Sequence, residues 1–251
     1  MALTLARLKR DRTDIPRYAS NMTLIYLLRH CESSANKEGI LAGRIESIAL
    51  SKLGLKQAHQ IAGALAQESF SKIYVSPLQR CVETIEPFLM KSRKRAIKEP
   101  LFLEMNYGKW SGRKLSELRR EKHWKSIQSK PSRFTFPSGE SFVAAERRIK
   151  RGLNKVARSN PKGKVLVVSH GDPIKIAVQL ALKGDLDSFQ RIVIDPGSVT
   201  IIDWPTGTLI GANIPAKSLA SRTKKQDGGL SKKMLSNRRV LGGGTNVSTR
   251  I

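Results

Sequence analysis

The sequence has few cysteines, few acidic residues and no long apolar run, and each shortage excludes a class of protein. Two cysteines in 251 residues cannot form the framework of a small disulfide-rich secreted domain. Every apolar run is shorter than the roughly 18–20 residues that span a bilayer, and residues 1–21 contain no apolar signal-peptide core. With 39% hydrophobic residues, the chain is expected to be a cytoplasmic globular protein that is not bound to a membrane.

The shortage of acidic residues, 20 against 46 lysines and arginines, gives the chain a net charge of +26. Residues 1–21 carry +3 and residues 214–251 carry +8, which leaves +15 for residues 22–213. A basic body favours anionic substrates or loose association with nucleic acid, and a merely solvated basic surface explains the composition equally well. We predict a disordered extension over residues 1–21, with Met22 as an alternative start, and a disordered Gly/Ser-rich tail over residues 214–251.

Short apolar runs alternate with helical patterns between these two segments. Strands are predicted at residues 22–28, 72–75, 101–103, 164–169, 191–194 and 199–204. Helices are predicted after Ser51 and over residues 76–90, 138–159 and 173–182, with Pro77 in the first turn of the second helix. The alternation predicts an α/β domain over residues 22–213, a three-layer sandwich whose mostly parallel central sheet has helices on both faces.

Residues with phosphate chemistry follow several of the predicted strands. Arg29 and His30 follow the first strand, Arg80 the second, Glu104 the third and His170 the fourth. Because functional groups gather beyond the carboxyl ends of parallel strands, these five side chains are expected to converge. Arginine matches phosphate oxygens, histidine forms covalent phosphoryl intermediates, and a carboxylic acid can protonate a leaving alkoxide. Any one of them alone is more often structural, so the joint placement is what predicts a site for a dianionic group.

The segment LLRHCESSAN at residues 27–36 resembles the phosphohistidine signature of the histidine phosphatase superfamily, also called the phosphoglycerate mutase-like family. Four more motifs follow in the family's order: SPLQRCVET at 76–84, LEMNYGKWSG at 103–112, PSGES at 137–141 and SHGDPI at 169–174. The resemblance covers roughly residues 22–205. One position departs from the signature, because Cys31 stands where the family has glycine, which puts the placement of His30 in question.

The resemblance implies a role for each matching residue. His30 is the expected nucleophile, and Glu104 is the expected proton donor. The expected phosphate clamp and substrate pocket consist of Arg29, Asn36, Ala42, Gly43, Arg80 and His170. No cofactor is expected, and no metal is needed, because the cations of the clamp already balance the phosphate charge.

The expected activity is hydrolysis of a small phosphomonoester through a phosphohistidine intermediate. A phosphoglycerate-type mutase is the alternative within the family, and the moderate length of residues 112–137 favours the phosphatase. A different class also stays open, a basic protein that binds RNA or another polyanion through residues 1–21 and 214–251, although these lack aromatic residues apart from Tyr18. The expected partner is a small phosphorylated metabolite, and the chain is expected to be a monomer or a homodimer.

Overall fold

The computed structural model of the chain describes residues 22–219 and contains a single six-stranded sheet in that range. Its strands are β1 (Thr23–Arg29), β2 (Lys72–Val75), β3 (Ile97–Lys98), β4 (Lys164–Ser169), β5 (Ser198–Trp204) and β6 (Thr208–Pro215). The spatial order is β3-β2-β4-β1-β5-β6. The first four of these are parallel, and β5 and β6 run antiparallel to their neighbours.

The two central strands, β1 and β4, are nearly continuous apolar runs because both of their faces are covered. Ile25 and Leu27 of β1 belong to the apolar core on one face, whereas Tyr26 and Leu28 belong to the core on the other. Successive side chains of a strand point to opposite faces, so one short run supplies both cores.

Seven α-helices accompany the sheet in the described residues. They are α1 (Ser34–Glu38), α2 (Lys52–Leu65), α3 (Gln79–Ser92), α4 (Leu115–Leu118), α5 (Trp124–Ser129), α6 (Phe142–Ser159) and α7 (Gly171–Leu182). Helices α2 and α3 pack on the face that carries Tyr26, while α6 and α7 cover the face that carries Ile25. This arrangement confirms the predicted three-layer sandwich. Within residues 22–219 none of the helices is both long and apolar enough to cross a membrane.

The predicted strands at 72–75 and 164–169 are confirmed, and so is the Ser51 cap, whose hydroxyl accepts a hydrogen bond from the Gly54 amide. Three helix starts are shifted: α3 begins at Gln79, which leaves Pro77 outside it, α6 begins after Ser141, and α7 begins at Gly171. Ser141 caps α6, whereas Leu78 precedes α3 without a side-chain cap, and both helices begin later than the turn signal.

Two predicted strands are wrong. Residues Pro100–Phe102 form a 3-10 helix, because the Glu99 side chain caps its first turn and Phe102 turns into the core. Residues 191–194 are the end of another 3-10 helix, Leu186–Arg191, and an extended loop. The second antiparallel strand is instead β6, in which Gly211 and Asn213 interrupt the apolar pattern that would have revealed it.

The folded body also extends beyond the predicted boundary at residue 213. Ile214, Ala216 and Leu219 are buried against the core that contains Tyr26 and Ile201. Residues 214–219 are therefore part of the domain and not of a tail. The predictions for residues 1–21 and 220–251 fall outside the described residues.

Candidate active site

The carboxyl ends of β1 and β2 lead into the wall of a cavity of about 300 Å³. Arg29 is the last residue of β1, His30 follows it, and Arg80 lies in the first turn of α3 after β2. Glu104 reaches the same cavity from the segment after the Pro100–Phe102 helix, not from a strand end as expected. The structure thus brings the predicted nucleophile, two cations and the predicted proton donor together.

The ring of His30 is buried and held in one tautomer. Its Nδ1 lies 2.7 Å from the backbone carbonyl of Cys31, and a carbonyl can only accept, so Nδ1 carries the proton. Burial, followed by the charges of Arg80 and Arg29, lowers the pKa of His30 well below its usual value. The ring is therefore neutral at physiological pH, with the lone pair on Nε2.

The guanidinium groups of Arg29 and Arg80 are only partly satisfied. Arg29 Nη1 donates to the carbonyl of Ile194 (2.5 Å), and Arg80 Nη2 donates to the carbonyl of Gly43 (2.7 Å). Both Nε atoms are buried, and among residues 22–219 neither has a hydrogen-bond partner. An unpartnered buried donor on a cation is costly, and both arginine side chains line the cavity, so this wall is a place for an anion.

His170 lies beside His30 but does not line the cavity. Their ring centroids are 5.2 Å apart, and His170 is completely buried, with Nε2 2.7 Å from the Ser76 hydroxyl. Burial, and then the Arg80 charge, lowers the pKa of His170 well below its usual value. The ring of His170 packs edge to face against the His30 ring, and its contact with phosphate stays a prediction.

The carboxyl group of Glu104 has an unusually high proton affinity. Burial, followed by the negative charge of Asp172, raises its pKa to about 7, against the hydrogen bond that its Oε1 accepts from the Met105 amide (2.9 Å). The carboxyl can therefore hold a proton near neutral pH and release it within the cavity.

A charged network fixes the backbone of Glu104 from outside the cavity. Its carbonyl accepts hydrogen bonds from Arg44 Nε (2.9 Å) and Arg148 Nη2 (3.4 Å). The Glu140 carboxylate joins the two arginines at 3.0 and 2.7 Å, and also accepts the Asn106 amide. Sequence reasoning noted Glu140 only as part of a motif. It missed Arg44 and Arg148, for which the sequence gives no signal.

The remaining predicted pocket residues, Asn36, Ala42 and Gly43, also line the cavity. Gly43 has a φ of 54°, and a Cβ there would lie 2.5 Å from the Ser111 hydroxyl. Glycine is therefore required at the position whose carbonyl orients Arg80. Asn36 uses its side-chain oxygen to accept the Ser33 amide in the cap of α1, which leaves its side-chain amino group as a further donor.

Cys31 fits its position without disturbing His30. Its backbone φ is not in the left-handed region, its amide donates to the Thr84 hydroxyl (2.9 Å), and its side chain is fully buried in the core. Burial raises the pKa of the thiols of Cys31 and Cys81 to about 12, so neither is poised for redox chemistry.

The cavity is also lined by several residues that the sequence did not indicate, namely Leu115, Trp124, Ile127, Gln128, Phe142, Lys175 and Gln190. They come from α4, α5, α6, α7 and the Leu186–Arg191 helix, which no linear motif connects. Asp172 connects Tyr107 with Lys175, because it accepts a hydrogen bond from the Tyr107 hydroxyl (2.9 Å) and lies 3.5 Å from Lys175 Nζ. In the part of the chain that the structure describes, no group of three or more His, Cys, Asp or Glu side chains is arranged to hold a metal ion.

Comparison with known proteins gives a family and several relatives. The family model described as histidine phosphatase superfamily (branch 1) matches residues 25–210. Phosphoserine phosphatase 1 of Hydrogenobacter thermophilus is 33% identical over 185 residues, 72% of this chain and 86% of that protein. A 2,3-bisphosphoglycerate-dependent phosphoglycerate mutase of Thermoplasma acidophilum is 25% identical over 189 residues, 75% of this chain and 91% of that protein. The solved structure of Bacillus stearothermophilus YhfR has a TM-score of 0.70 at 24% identity, with 77% of this chain and 96% of that chain covered.

Proposed function

Because this chain belongs to the histidine phosphatase superfamily, we propose that it hydrolyses a small phosphomonoester through a phosphohistidine on His30. The observation that carries the proposal is a neutral imidazole, protonated on Nδ1 so that the Nε2 lone pair is available, beside the partly satisfied guanidinium donors of Arg29 and Arg80 that line the same cavity. The donors bind the phosphoryl group, and the imidazole attacks it.

In the first step, His30 Nε2 attacks phosphorus in line with the ester oxygen, so that an N–P bond forms as the P–O bond breaks. Arg29 and Arg80 offset the charge on the equatorial oxygens throughout. Glu104 donates its proton to the departing oxygen, which leaves as an alcohol.

In the second step, water attacks the phosphohistidine from the side that the alcohol has vacated. Glu104, now a carboxylate, takes a proton from that water, the N–P bond breaks, and Nε2 regains its lone pair. Inorganic phosphate leaves, and both side chains return to their starting protonation states.

The charges of the cavity favour a phosphatase over the mutase alternative. Among the described residues that line it, the only cation besides Arg29 and Arg80 is Lys175, which is already engaged by Asp172 (3.5 Å) and by Gln190 Oε1 (3.3 Å). A bisphosphate needs a second cluster of free donors, and one engaged lysine does not supply it. We also propose a cytosolic location, which the two free and buried thiols support.

Two experiments test the proposal. One measures steady-state turnover of p-nitrophenyl phosphate, and the other quenches the protein during turnover of a 32P-labelled ester. Wild-type protein quenched during turnover is expected to carry acid-labile, base-stable phosphate, and His30→Ala is expected to lose the label and several orders of magnitude in rate. His59→Ala, a change on the exposed side of α2, serves as the control. Orthovanadate is expected to inhibit as an analogue of the five-coordinate transition state, and EDTA to have no effect. A label on serine or aspartate, or activity that EDTA removes, contradicts the assignment.

A further inference from the structure

We propose that the apolar lining of the cavity binds an uncharged, ring-bearing group, so that the natural substrate is an apolar or aromatic phosphomonoester without a carboxylate. This inference rests on the proposed function, since it takes the phosphate to lie at Arg29 and Arg80. It concerns the alcohol part of the ester, which the catalytic residues do not select.

The first observation is the apolar character of this lining. It is formed by aromatic and aliphatic side chains: Trp110, Leu115, Trp124, Ile127, Phe136 and Phe142. The Trp110 and Trp124 rings stack at 6.4 Å with an interplanar angle of 12°, and Trp110 meets Phe136 edge to face at 5.6 Å. Such contacts hold the indole rings in place without closing the cavity, and a rigid aromatic wall gains most from an apolar or planar ligand.

The second observation is that the described residues lining the cavity offer no free cation for a carboxylate besides Arg29 and Arg80. Lys175 Nζ lies 3.5 Å from Asp172, 3.3 Å from Gln190 Oε1 and 5.3 Å from the centre of the Phe189 ring. A substrate carboxylate would have to displace Asp172 from this lysine, and a carboxylate left beside Asp172 would meet a like charge. Lys175 and Asp172 carry opposite charges, so the pair adds no net charge to the cavity lining.

The third observation is size. A volume of about 300 Å³ for the whole cavity is at the lower end of ligand pockets, so it suits a phosphate with a single small ring system. Gln128 and Gln190 add neutral hydrogen-bonding groups to the wall, which can read a polar edge of such a ring without adding charge.

The test compares kcat/KM for benzyl phosphate, phosphoserine and 3-phosphoglycerate, which all release aliphatic alcohols, so that the comparison reports on the pocket and not on leaving-group acidity. Benzyl phosphate is expected to be preferred by about 10-fold or more, as for other apolar pockets. Phosphoserine is the critical competitor, because a relative is named for it.

Two variants assign the preference to particular side chains. Trp124→Ala is expected to lower kcat/KM for benzyl phosphate about 10-fold while changing that for 3-phosphoglycerate less than about 3-fold, and Trp124→Phe is expected to restore most of the loss. Asp172→Asn frees Lys175, so the ratio of 3-phosphoglycerate to benzyl phosphate activity is expected to rise, whatever happens to the common rate. Met90→Ala, a change at a side chain that is 77% exposed on α3, is the control.

A preference for phosphoserine or 3-phosphoglycerate, or an equal effect of Trp124→Ala on all three esters, overturns the inference. If p-nitrophenyl phosphate is still hydrolysed through labelled His30 in that case, the proposed function stands and only the substrate class is wrong. If no ester is hydrolysed and no phosphohistidine forms, both fail.

Discussion

At the scale of single residues, the most informative group is the Glu104 carboxyl, whose pKa of about 7 is set by burial and by Asp172. A group with a raised pKa holds its proton below that pH and loses it above. A general acid must be protonated to act, so phosphorylation of His30 by an ester with a basic leaving group is expected to slow as pH rises through about 7.

Glu104→Gln removes the transferable proton while keeping the shape of the side chain. The variant is expected to slow benzyl phosphate by roughly 100-fold or more and p-nitrophenyl phosphate far less, because nitrophenolate leaves without a proton. Single-turnover rates at several pH values measure both effects. Equal slowing of the two esters, or an unchanged pH profile for benzyl phosphate, would mean that Glu104 serves only to position other groups.

Cys31 gives a second prediction at the residue scale, since its side chain fills the core and does not face the cavity. Cys31→Gly is expected to cost about 1–3 kcal/mol in the free energy of unfolding, from lost burial and added backbone freedom. Activity on p-nitrophenyl phosphate is expected to stay within about 3-fold. Urea denaturation and steady-state kinetics on one preparation separate the two. A large loss of activity in a fully folded variant would show that Cys31 sets the position of His30.

At the scale of elements, α6 supports the catalytic segment through Arg148, which reaches the carbonyls of Leu101, Leu103 and Glu104. Arg148→Met is expected to lower kcat by about 10- to 100-fold with little change in KM, because the proton donor moves while the phosphate clamp does not. Arg148→Lys is not expected to restore the rate, since one ammonium group cannot replace the several N–H donors of the planar guanidinium group. Arg151→Met, an exposed change one turn later on α6, is the control. A rise in KM without a fall in kcat would exclude this positioning role.

The same elements show why part of the structure could be predicted from the sequence. Lys72–Val75 and Lys164–Ser169 were identified because strands buried on both faces are short, uniform apolar runs. The predicted strand at residues 101–103 is also an apolar run, but the Glu99 side chain caps the 3-10 helix Pro100–Phe102 there, and three residues are too few to show a period. Arg29, His30 and Arg80 could be predicted as cavity residues because they lie at, or shortly after, the carboxyl ends of β1 and β2. Trp124 and Lys175 were missed because tertiary packing alone brings α5 and α7 to one cavity.

At the scale of the whole molecule, the end of the folded body determines what can be removed. Deletion of residues 220–251 is expected to leave the phosphatase rate nearly intact and to weaken retention on heparin, because these residues include eight lysines and arginines against one aspartate. Deletion from residue 214 onward also removes buried Ile214 and Leu219, and is expected to cost about 3 kcal/mol or more in stability.

Both truncations are compared by thermal melts, one turnover assay and one heparin salt gradient. These measure stability, activity and polyanion binding in turn. Loss of activity in a folded protein that ends at residue 219 would place the tail over the active site. Unchanged retention on heparin would assign polyanion binding to the basic surface of the body.

The pairing of β1 with β4 has a consequence for how this protein becomes active. Arg29 lies opposite Ser169, and the His30 amide donates to the Ser169 carbonyl (2.9 Å), so the two histidines are brought side by side by the register of two strands from distant parts of the chain. A slip of one residue would turn one imidazole to the opposite face of the sheet. Formation of labelled phosphohistidine during refolding therefore reports when β1 and β4, two strands far apart in the chain, have paired in the correct register.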